Sequence, residues 1–347
     1  MSAANLLTVS VIVPVHAGAP HFHDCMRSLS RLRPAPHEFI VVADGEIGAH
    51  AELAESCGAR VIKVASAAGP ARARNQGARA ASGDILFFVD SDVAVPETAV
   101  SRVAEFFTAE PRLVALIGSY DEEPEASNFL SQYKNLLHHF VHQSARAEAS
   151  TFWGACGAIR REVFLAMDGF DESYRRPSIE DIELGYRLKR AGHEIRLAKE
   201  LQVKHLKHWS ARSLLESDLL HRALPWTDLL LRHGRLLNDL NLRPASRASA
   251  LAAWLLFISL AGGGGSRGSL VITAASALAL LTLNARLYRF FYRRRGLRFA
   301  AQAIVCHWFY YLYSSAAFAA GTLIYLARRA LHRRYRTSGA IAPIKRL

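Results

Sequence analysis

Two aspartates separated by one residue follow an apolar run in the segment FFVDSD, residues 87–92. Because alternate side chains of a strand point to the same side, we expect Asp90 and Asp92 to emerge together where the strand ends. Carboxylate oxygens are the ligands that Mg²⁺ and Mn²⁺ prefer, and a cation held there could neutralise a departing diphosphate. A solvated acidic turn is the alternative for an isolated Asp-x-Asp, but the preceding apolar run favours a metal site.

Basic and amide side chains cluster in the segment GPARARNQG, residues 69–77. This segment predicts a loop that enters a helix, and it brings Arg72, Arg74 and Asn75 together with the positive end of that helix. Arginines on an exposed helix face are the common alternative. We treat the three residues as candidate substrate-binding groups.

A third acidic group, Asp181 in the segment IED, opens a predicted helix and is a candidate general base toward a hydroxyl. Ser178 gives an equally simple alternative, a capping box in which Asp181 only accepts hydrogen bonds from the backbone. Further along the chain, His205 and His208 have a spacing that can bind a metal, although a single histidine is more often an ordinary surface residue.

The elements that must position these residues are short apolar runs alternating with helical patterns. This alternation predicts an α/β fold with a mostly parallel sheet flanked by helices. Ligands of such sheets bind beyond the carboxyl ends of the strands, where Val15, Asp44 and the segment 90–92 are expected. Residues 97–200 have a less regular pattern. Strands are predicted at 8–15, 38–43, 60–64 and 84–89, and helices at 23–32, 49–57, from about 70, and at 179–191.

Taken in order, these segments resemble the family 2 glycosyltransferases, which have the GT-A fold. The resemblance extends over about residues 8–210, and the ordered set of motifs is highly specific. The segments that carry it are VSVIVPVHAG (9–18), FIVVADGE (39–46), GPARARNQGARAASGDILFFVDSDVAVP (69–96), FWGACGAIRREVFLAMDGFDESY (152–174) and EDIELGYRLKRAG (180–192).

The resemblance implies a role for each matching residue. Asp44 matches the acidic contact to the nucleotide base, Asp90 the contact to the ribose and diphosphate, and Asp92 the metal ligand. Asp181 matches the catalytic base of a Glu-Asp motif whose first member, Glu180, is expected to bind substrate. The remaining matches are His205, a further metal or diphosphate contact, and Trp153 and Gly154, in a loop near the sugar and the acceptor.

One departure from the family concerns the Gln-x-x-Arg-Trp motif of membrane-bound processive synthases. The nearest match runs from Arg222 to Trp226, with Pro225 where the motif has arginine. The resemblance therefore implies a single-transfer enzyme rather than a polymerase, with Arg222 and Trp226 kept as candidate substrate contacts. Glu46 also stands where the family commonly has serine, so contacts to the donor base are expected to differ.

The last hundred residues carry the whole positive excess of the chain, which is +13 overall. From residue 248 to 347 there are fourteen Lys and Arg and no carboxylate, and the last acidic residue is Asp239. Three apolar segments lie in the same region, at 248–265, 269–285 and 299–327, each near the ~20 residues that a membrane-spanning helix needs. Residues 211–247 have the pattern of amphipathic helices on a membrane surface. Buried core helices are the alternative, disfavoured because three such segments seldom cluster in a soluble domain.

Six arginines lie between the second and third apolar segments, in RLYRFFYRRRGLR (286–298). Their position predicts attraction to anionic lipid headgroups rather than to nucleic acid. No signal peptide is predicted, and the four separated cysteines suit a reducing compartment. We expect an integral protein of the inner membrane with a cytoplasmic catalytic domain. Because three spans would place the two basic clusters on opposite sides of the membrane, the orientation of the tail is open.

The sequence thus predicts an inverting glycosyltransferase that uses Mg²⁺ or Mn²⁺. Its partners would be a nucleotide-sugar donor, a lipid or lipid-linked acceptor and a membrane with anionic lipids. If the acceptor were a polyprenyl phosphate, Asp181 would not be needed as a base. Two alternatives stay open: a processive polysaccharide synthase and a non-catalytic, membrane-tethered protein that binds sugar nucleotides.

Overall fold

The protein is described here from a computed structural model that covers residues 7–64, 67–234, 243–262 and 266–337, with side chains described as far as residue 331. The chain divides into two compact units, Met1–Ser210 and Ala211–Leu347.

The first unit is built on one eight-stranded sheet with the strand order β3-β2-β1-β4-β7-β6-β8-β5. The strands are β1 (Val9–Val15), β2 (Glu38–Asp44), β3 (Arg60–Val64), β4 (Ile85–Val89), β5 (Val93–Ala94), β6 (Ala115–Tyr120), β7 (Cys156–Arg160) and β8 (Ile195–His205). The helices are α1 (Phe22–Leu29), α2 (Ala49–Ser56), α3 (Pro70–Ala80), α4 (Ala99–Ala109), α5 (Phe129–Ser144), α6 (Arg161–Ala166) and α7 (Glu180–Arg190).

Strands β1 to β4 run parallel to one another, as the alternation of strand and helix predicts. Every residue of β1 and β4 is buried, because helices cover both faces of the sheet there. The core therefore sits directly behind the strand ends that carry Asp44 and Asp90, and the carboxyl ends of β1, β2 and β4 lie along one edge.

The second half of the sheet is mixed, which the sequence pattern did not predict. Strand β7 is antiparallel to both β4 and β6, and β5 is antiparallel to β8. Strands β6 and β7 are short and contain glycine, and β8 carries charged side chains at its partly exposed positions. For that reason the sequence of residues 97–200 lacks the regular apolar pattern that would have indicated strands.

The second unit is helical in the part that the structure describes. It contains α8 (Ala211–Glu216), a π-helical segment (Ser217–Ala223), α9 (Leu224–His233), α10 (Pro244–Ala261), α11 (Arg267–Leu283) and α12 (Ala285–Thr337). Helix α12 is broken at Gly296, whose φ of 80° and ψ of 179° are not helical. The predicted apolar segments 248–265, 269–285 and 299–327 fall on α10, α11 and α12, apart from residues 263–265, which lie outside the described residues. Residues 235–242 of the predicted interfacial region also lie outside them.

Among the described residues, α10 alone is long and apolar enough to cross a membrane. A second crossing segment results if α11 and α12, which meet at a bend of 68°, form one broken span. The sequence has three apolar segments, but α11 has only 17 residues and α12 includes tyrosines and arginines. These helices suggest membrane association.

Candidate active site

The segment Asp90-Ser91-Asp92 forms a turn between β4 and β5 rather than the end of an extended strand. The N–H of Val93 donates to the carbonyl oxygen of Asp90 at 3.1 Å and closes this turn. As a result the two carboxylates, which are both about 30% exposed, point to different partners: Asp90 meets Arg74, and Asp92 lies near His205. Strand alternation does not extend past Val89, so the two carboxylates do not emerge side by side, and a cation shared by Asp90 and Asp92 stays a prediction.

Arg74 lies at the centre of the site and is 5% exposed. Its Nη2 donates to Asp90 Oδ1 at 2.6 Å, and its Nη1 donates to Glu180 Oε1 at 2.9 Å. The guanidinium also lies 5.4 Å from the centroid of the Phe170 ring. Burial opposes the charge on Arg74, but the carboxylates of Asp90 and Glu180 outweigh that effect and raise its pKa. Arg74 is thus a buried cation held between two acidic groups.

Asp181 is partly accessible, and both of its oxygens accept backbone hydrogen bonds. Oδ2 accepts from the N–H of Gly154 at 3.0 Å, and Oδ1 accepts from the N–H of Ile182 at 2.7 Å. Desolvation and the nearby charge of Glu180 raise the pKa of Asp181 to about 6, although these hydrogen bonds and Arg74 act against the rise. A carboxylate with such a pKa is mostly ionised near pH 7 and suits general-base chemistry.

The capping box that was the alternative for Asp181 does not form. The residue that caps α7 is Ile179, and the N–H of Ser178 donates to Glu180 Oε2 at 2.9 Å instead of to Asp181. One oxygen of Asp181 reaches across to another loop, at Gly154. The position of Asp181 is therefore better suited to a cleft residue than to a helix cap.

Asp92 and His205 are the described side chains best placed to share a divalent cation. Asp92 Oδ2 lies 4.0 Å from His205 Nε2, a separation that one ion bound to both atoms can span. No group of three or more His, Cys, Asp or Glu with the geometry of a metal site occurs among the described residues. A pair of protein ligands fits an Mg²⁺ or Mn²⁺ ion that takes its other ligands from substrate phosphates and water. His208 is exposed and lies beyond the end of β8. A metal site that His205 shares with His208 stays one of the two alternatives for that spacing.

Asp44 holds the loop before α3 in place. Its Oδ1 accepts from the N–H of Ala68 at 2.8 Å and its Oδ2 from the N–H of Gly69 at 2.9 Å. Pro70 has no N–H, so the first residue of the helix offers no donor of its own. Binding of the donor diphosphate at this helix end stays a prediction. Arg72 is half-buried on the same helix, and its substrate-binding role stays a prediction.

Asn75 is 2% exposed and binds the loop after α6 rather than the cleft. Its Nδ2 donates to the carbonyl oxygen of Phe170 at 2.8 Å and to Glu172 Oε1 at 3.0 Å, while its Oδ1 accepts from the N–H of Phe170 at 2.8 Å. Both donors and the amide oxygen are thereby engaged. In this structure Asn75 positions the loop beneath Arg74, and its role as a substrate contact stays a prediction.

The loop that carries Trp153 and Gly154 packs against two of these groups. A Cβ at Gly154 would lie 3.1 Å from Arg74 Cζ, so only glycine fits there without displacement of the guanidinium. A Cβ at Gly185 of α7 would lie 2.2 Å from the backbone nitrogen of Phe152 in the same loop. Helix α7 and this loop therefore approach each other through backbone contact.

A group of aromatic and histidine side chains surrounds Trp153, and the sequence reasoning missed it. Tyr120 stacks on His205 with ring centroids 4.3 Å apart and 17° between the planes, and it packs edge-on against Trp153 at 4.8 Å. His138 and His142 of α5 contact Trp153 at 5.0 Å and 5.4 Å. The sequence does hold one signal for this group, because three histidines lie within five residues of α5.

Helix α5 is joined to the end of β6 by a third histidine. His139 Nδ1 donates to the carbonyl oxygen of Tyr120 at 2.7 Å, and its Nε2 lies 3.2 Å from Glu122 Oε1. The strand end that carries Tyr120 is thereby fixed beside His205.

Three predicted residues remain. Val15 is buried at the end of β1, on the edge where the site lies. Arg222 lies in the π-helical segment and Trp226 in α9, both in the second unit. Their roles as substrate contacts stay predictions.

Comparison with known families gives a consistent result. Residues 10–167 match the model of glycosyl transferase family 2, and residues 134–210 match that of the N-terminal domain of galactosyltransferase. Together the two matches span residues 10–210, which hold the whole sheet except Val9.

Curated relatives include glycosyltransferases. A pre-mycofactocin glycosyltransferase of Mycobacterium tuberculosis is 29% identical over 291 residues, which is 76% of this chain and 55% of the relative. The O-antigen biosynthesis protein RfbC of Myxococcus xanthus is 26% identical over 224 residues, 59% of this chain and 16% of the relative. The chain spans about half, or less, of the length of these relatives.

Two solved structures share the fold. The mannosyltransferase PcManGT from Pyrobaculum calidifontis, in complex with GDP-Man and Mn²⁺, superposes with a TM-score of 0.50 at 16% identity, over 92% of this chain and 87% of that one. S. aureus TarS 1–349, in complex with UDP-GlcNAc, gives a TM-score of 0.50 at 17% identity, over 87% and 89% of the two chains. The class that the fold and the family matches define is a GT-A transferase. Over residues 10–167 the chain is similar to glycosyl transferase family 2.

Proposed function

We propose that the protein is an inverting, metal-dependent glycosyltransferase that moves a sugar from a nucleotide-sugar to a lipid or lipid-linked acceptor at the cytoplasmic face of a membrane. The observation that carries this proposal is the setting of Asp181. Arg74 and Gly154 join it to the Asp90 turn at the end of β4, so a candidate base lies at the sheet edge where GT-A donors are expected.

The proposed reaction is an in-line displacement. Asp181 removes the proton of an acceptor hydroxyl, the oxygen attacks the anomeric carbon, and the bond from that carbon to the diphosphate oxygen breaks. The nucleoside diphosphate leaves with the electron pair, and the configuration of the sugar inverts. A pKa of about 6 leaves Asp181 ready to accept this proton at neutral pH.

Asp92 and His205 are the residues that would hold a divalent cation, Mg²⁺ or Mn²⁺. The bound ion would offset the charge that develops on the departing diphosphate. Arg72 is proposed to contact the same phosphates, Asp44 and Val15 to border the nucleotide, and Trp153 to border the sugar.

A membrane-borne acceptor is supported by the second unit. Large apolar side chains are exposed on three of its helices, among them Leu251 (63%), Val271 (67%) and Leu323 (69%). The broken helix α12 presents the exposed arginines 293–295 next to Gly296. Apolar surface next to a basic segment fits a helix region that enters a bilayer with anionic lipids. Within this unit, Arg222 and Trp226 are proposed acceptor contacts.

The test is a donor and acceptor screen on the purified full chain. UDP-, GDP- and TDP-sugars are supplied with a total membrane lipid extract, and both nucleoside diphosphate release and labelled lipid are measured. One sugar added per lipid is the expected result. A polymer would instead favour the processive synthase, and no release from any donor would favour the non-catalytic alternative.

A further inference from the structure

Arg74 does two things at once: it neutralises Asp90 at the end of β4 and Glu180 at the start of α7. The three side chains come from three separate elements, since Arg74 itself lies on α3. Arg74 and Glu180 are 6% and 5% exposed in their side chains, and Asp90 is 31% exposed. The guanidinium therefore forms a buried link whose one end reaches the cleft.

The geometry leaves Arg74 little capacity for a substrate. Nη1 and Nη2 each donate to a carboxylate, which uses two of the five N–H donors of the guanidinium, and Nε is buried without a hydrogen-bond partner among the described residues. One face of the guanidinium packs near Phe170, and Gly154 packs against Arg74 Cζ, Nη2 and Nε. A ligand that approached these nitrogens would meet protein on several sides.

We infer that Arg74 is a positioning residue that fixes the donor-facing Asp90 and the candidate base Asp181 relative to each other, rather than a ligand of the donor diphosphate. Asp181 follows Glu180 directly and accepts from the N–H of Gly154, so the links that Arg74 makes reach Asp181 from both the helix and the loop. This inference rests on the proposed function and assigns one residue of that site.

Lysine cannot make the same contacts. A guanidinium presents a rigid fork of donors to two carboxylates at once, whereas an ammonium group is a point charge on a flexible chain. In Arg74→Lys the positive charge stays, but one of the two carboxylates loses its partner. A donor ligand that acts by charge alone would tolerate this change better than a link between two elements.

The first test needs no catalysis. Hydrogen–deuterium exchange is followed in the donor-free full chain for peptides that cover 151–156 and 179–183. Arg74→Lys should accelerate exchange in both peptides, because Gly154 and Ile182 donate to the carboxylate whose position the link maintains. Arg79→Met is the matched control: Arg79 lies on the same helix and forms an exposed pair with Glu172, so exchange in the two peptides should stay as in the wild type. Unchanged exchange in Arg74→Lys would overturn the inference whether or not the protein is active.

The second test separates positioning from donor binding by kinetics. Arg74→Lys should lower kcat by about 10²-fold, the cost of a displacement on the order of 1 Å, while the donor KM stays within about threefold. A large rise in the donor KM with kcat preserved would identify Arg74 as a donor ligand and overturn the inference.

A double variant excludes a merely structural role. Arg74→Met leaves the buried Glu180 without its cation, so it is expected to unfold at a lower temperature. In Arg74→Met/Glu180→Gln the uncompensated charge is gone, and the melting temperature should recover while kcat stays low. If kcat recovered together with stability, Arg74 would be only a scaffold residue. A wild-type chain without any transfer would instead count against the proposed function, and the exchange experiment would still decide the role of Arg74.

Discussion

Asp181 combines an accessible carboxylate with two hydrogen bonds from backbone N–H groups, one of them from the loop of Trp153. Replacement by asparagine keeps the size of the side chain but removes the site that accepts a proton. We expect Asp181→Asn to lower kcat by about 10²–10⁴-fold with donor affinity nearly unchanged. Steady-state kinetics with calorimetric donor binding measure the two effects. A near-normal kcat would mean that the acceptor needs no base, as a polyprenyl phosphate would not.

The same residue predicts a pH dependence. Since burial raises the pKa of Asp181 to about 6, the proton-accepting form is lost as the pH falls through that value. The kcat of the wild type should therefore decrease about tenfold per pH unit below roughly pH 6 and be level above it. The residual activity of Asp181→Asn should lack this limb. If kcat decreased over the same pH range in both proteins, the titration would belong to another group.

Asp92 predicts the metal dependence. The ion would join Asp92, His205 and the donor phosphates, so Asp92→Asn should weaken Mn²⁺ binding in the presence of a nucleoside diphosphate and leave the melting temperature nearly unchanged. Chelation by EDTA should abolish transfer, and Mg²⁺ or Mn²⁺ should restore it. Mn²⁺ binding is followed by electron paramagnetic resonance, with Asp121→Asn, a residue paired with Lys204, as the control. Full activity in EDTA would remove the metal from the mechanism.

At the scale of secondary structure, the strands that could be predicted from the sequence are those formed by contiguous apolar residues. Strands β1, β2 and β4 could be located because parallel strands buried on both faces read as continuous apolar segments. Strand β8 could not, since its buried residues alternate with charged ones such as Lys199 and Lys204. For the site, residue type located Arg74, Asp90 and Asp181, but not their pairing, because hydrogen bonds between separate elements leave no local pattern. Asn75 and Asp44 illustrate the same limit: polar side chains next to a cleft also hold loops.

The backbone contact between α7 and the Trp153 loop predicts the effect of a small substitution. In Gly185→Ala the new Cβ would meet the backbone of Phe152, which cannot rotate away, so helix and loop must separate. We expect a loss of about 1–3 kcal/mol in the free energy of unfolding, as for other overpacked sites, and a lower kcat. Gly268→Ala is the matched helical control, since nothing lies closer than 4.0 Å to its Cβ position. Denaturant melts of both variants test this, and equal stability would contradict the predicted contact.

At the scale of the whole molecule, the division after Ser210 indicates where the chain can be truncated. The first unit has its own apolar core and contains the sheet, Asp92, His205 and Asp181. A chain that ends at Ser210 should bind and slowly hydrolyse its nucleotide-sugar but lose most transfer to a lipid acceptor in membranes. This cut is cleaner than one near Arg243, because α9 and α12 belong to the same compact unit. Hydrolysis and transfer are compared for the two chains in liposomes. Equal transfer by both would make a soluble acceptor the better hypothesis.

The exposed basic segment around Gly296 consists of arginine alone. From residue 248 to residue 344 the chain contains no lysine, and a guanidinium cannot be deprotonated in a protein. Lysine acetylation, which removes the charge of many basic surfaces, has no target there. If this segment attracts acidic lipids as proposed, that attraction would be constitutive, because neither a change of pH in the cellular range nor lysine acetylation would remove the charge. For the same reason, amine-reactive dyes and cross-linkers do not react with this segment. They can label the first unit of the intact protein and leave these arginines unmodified.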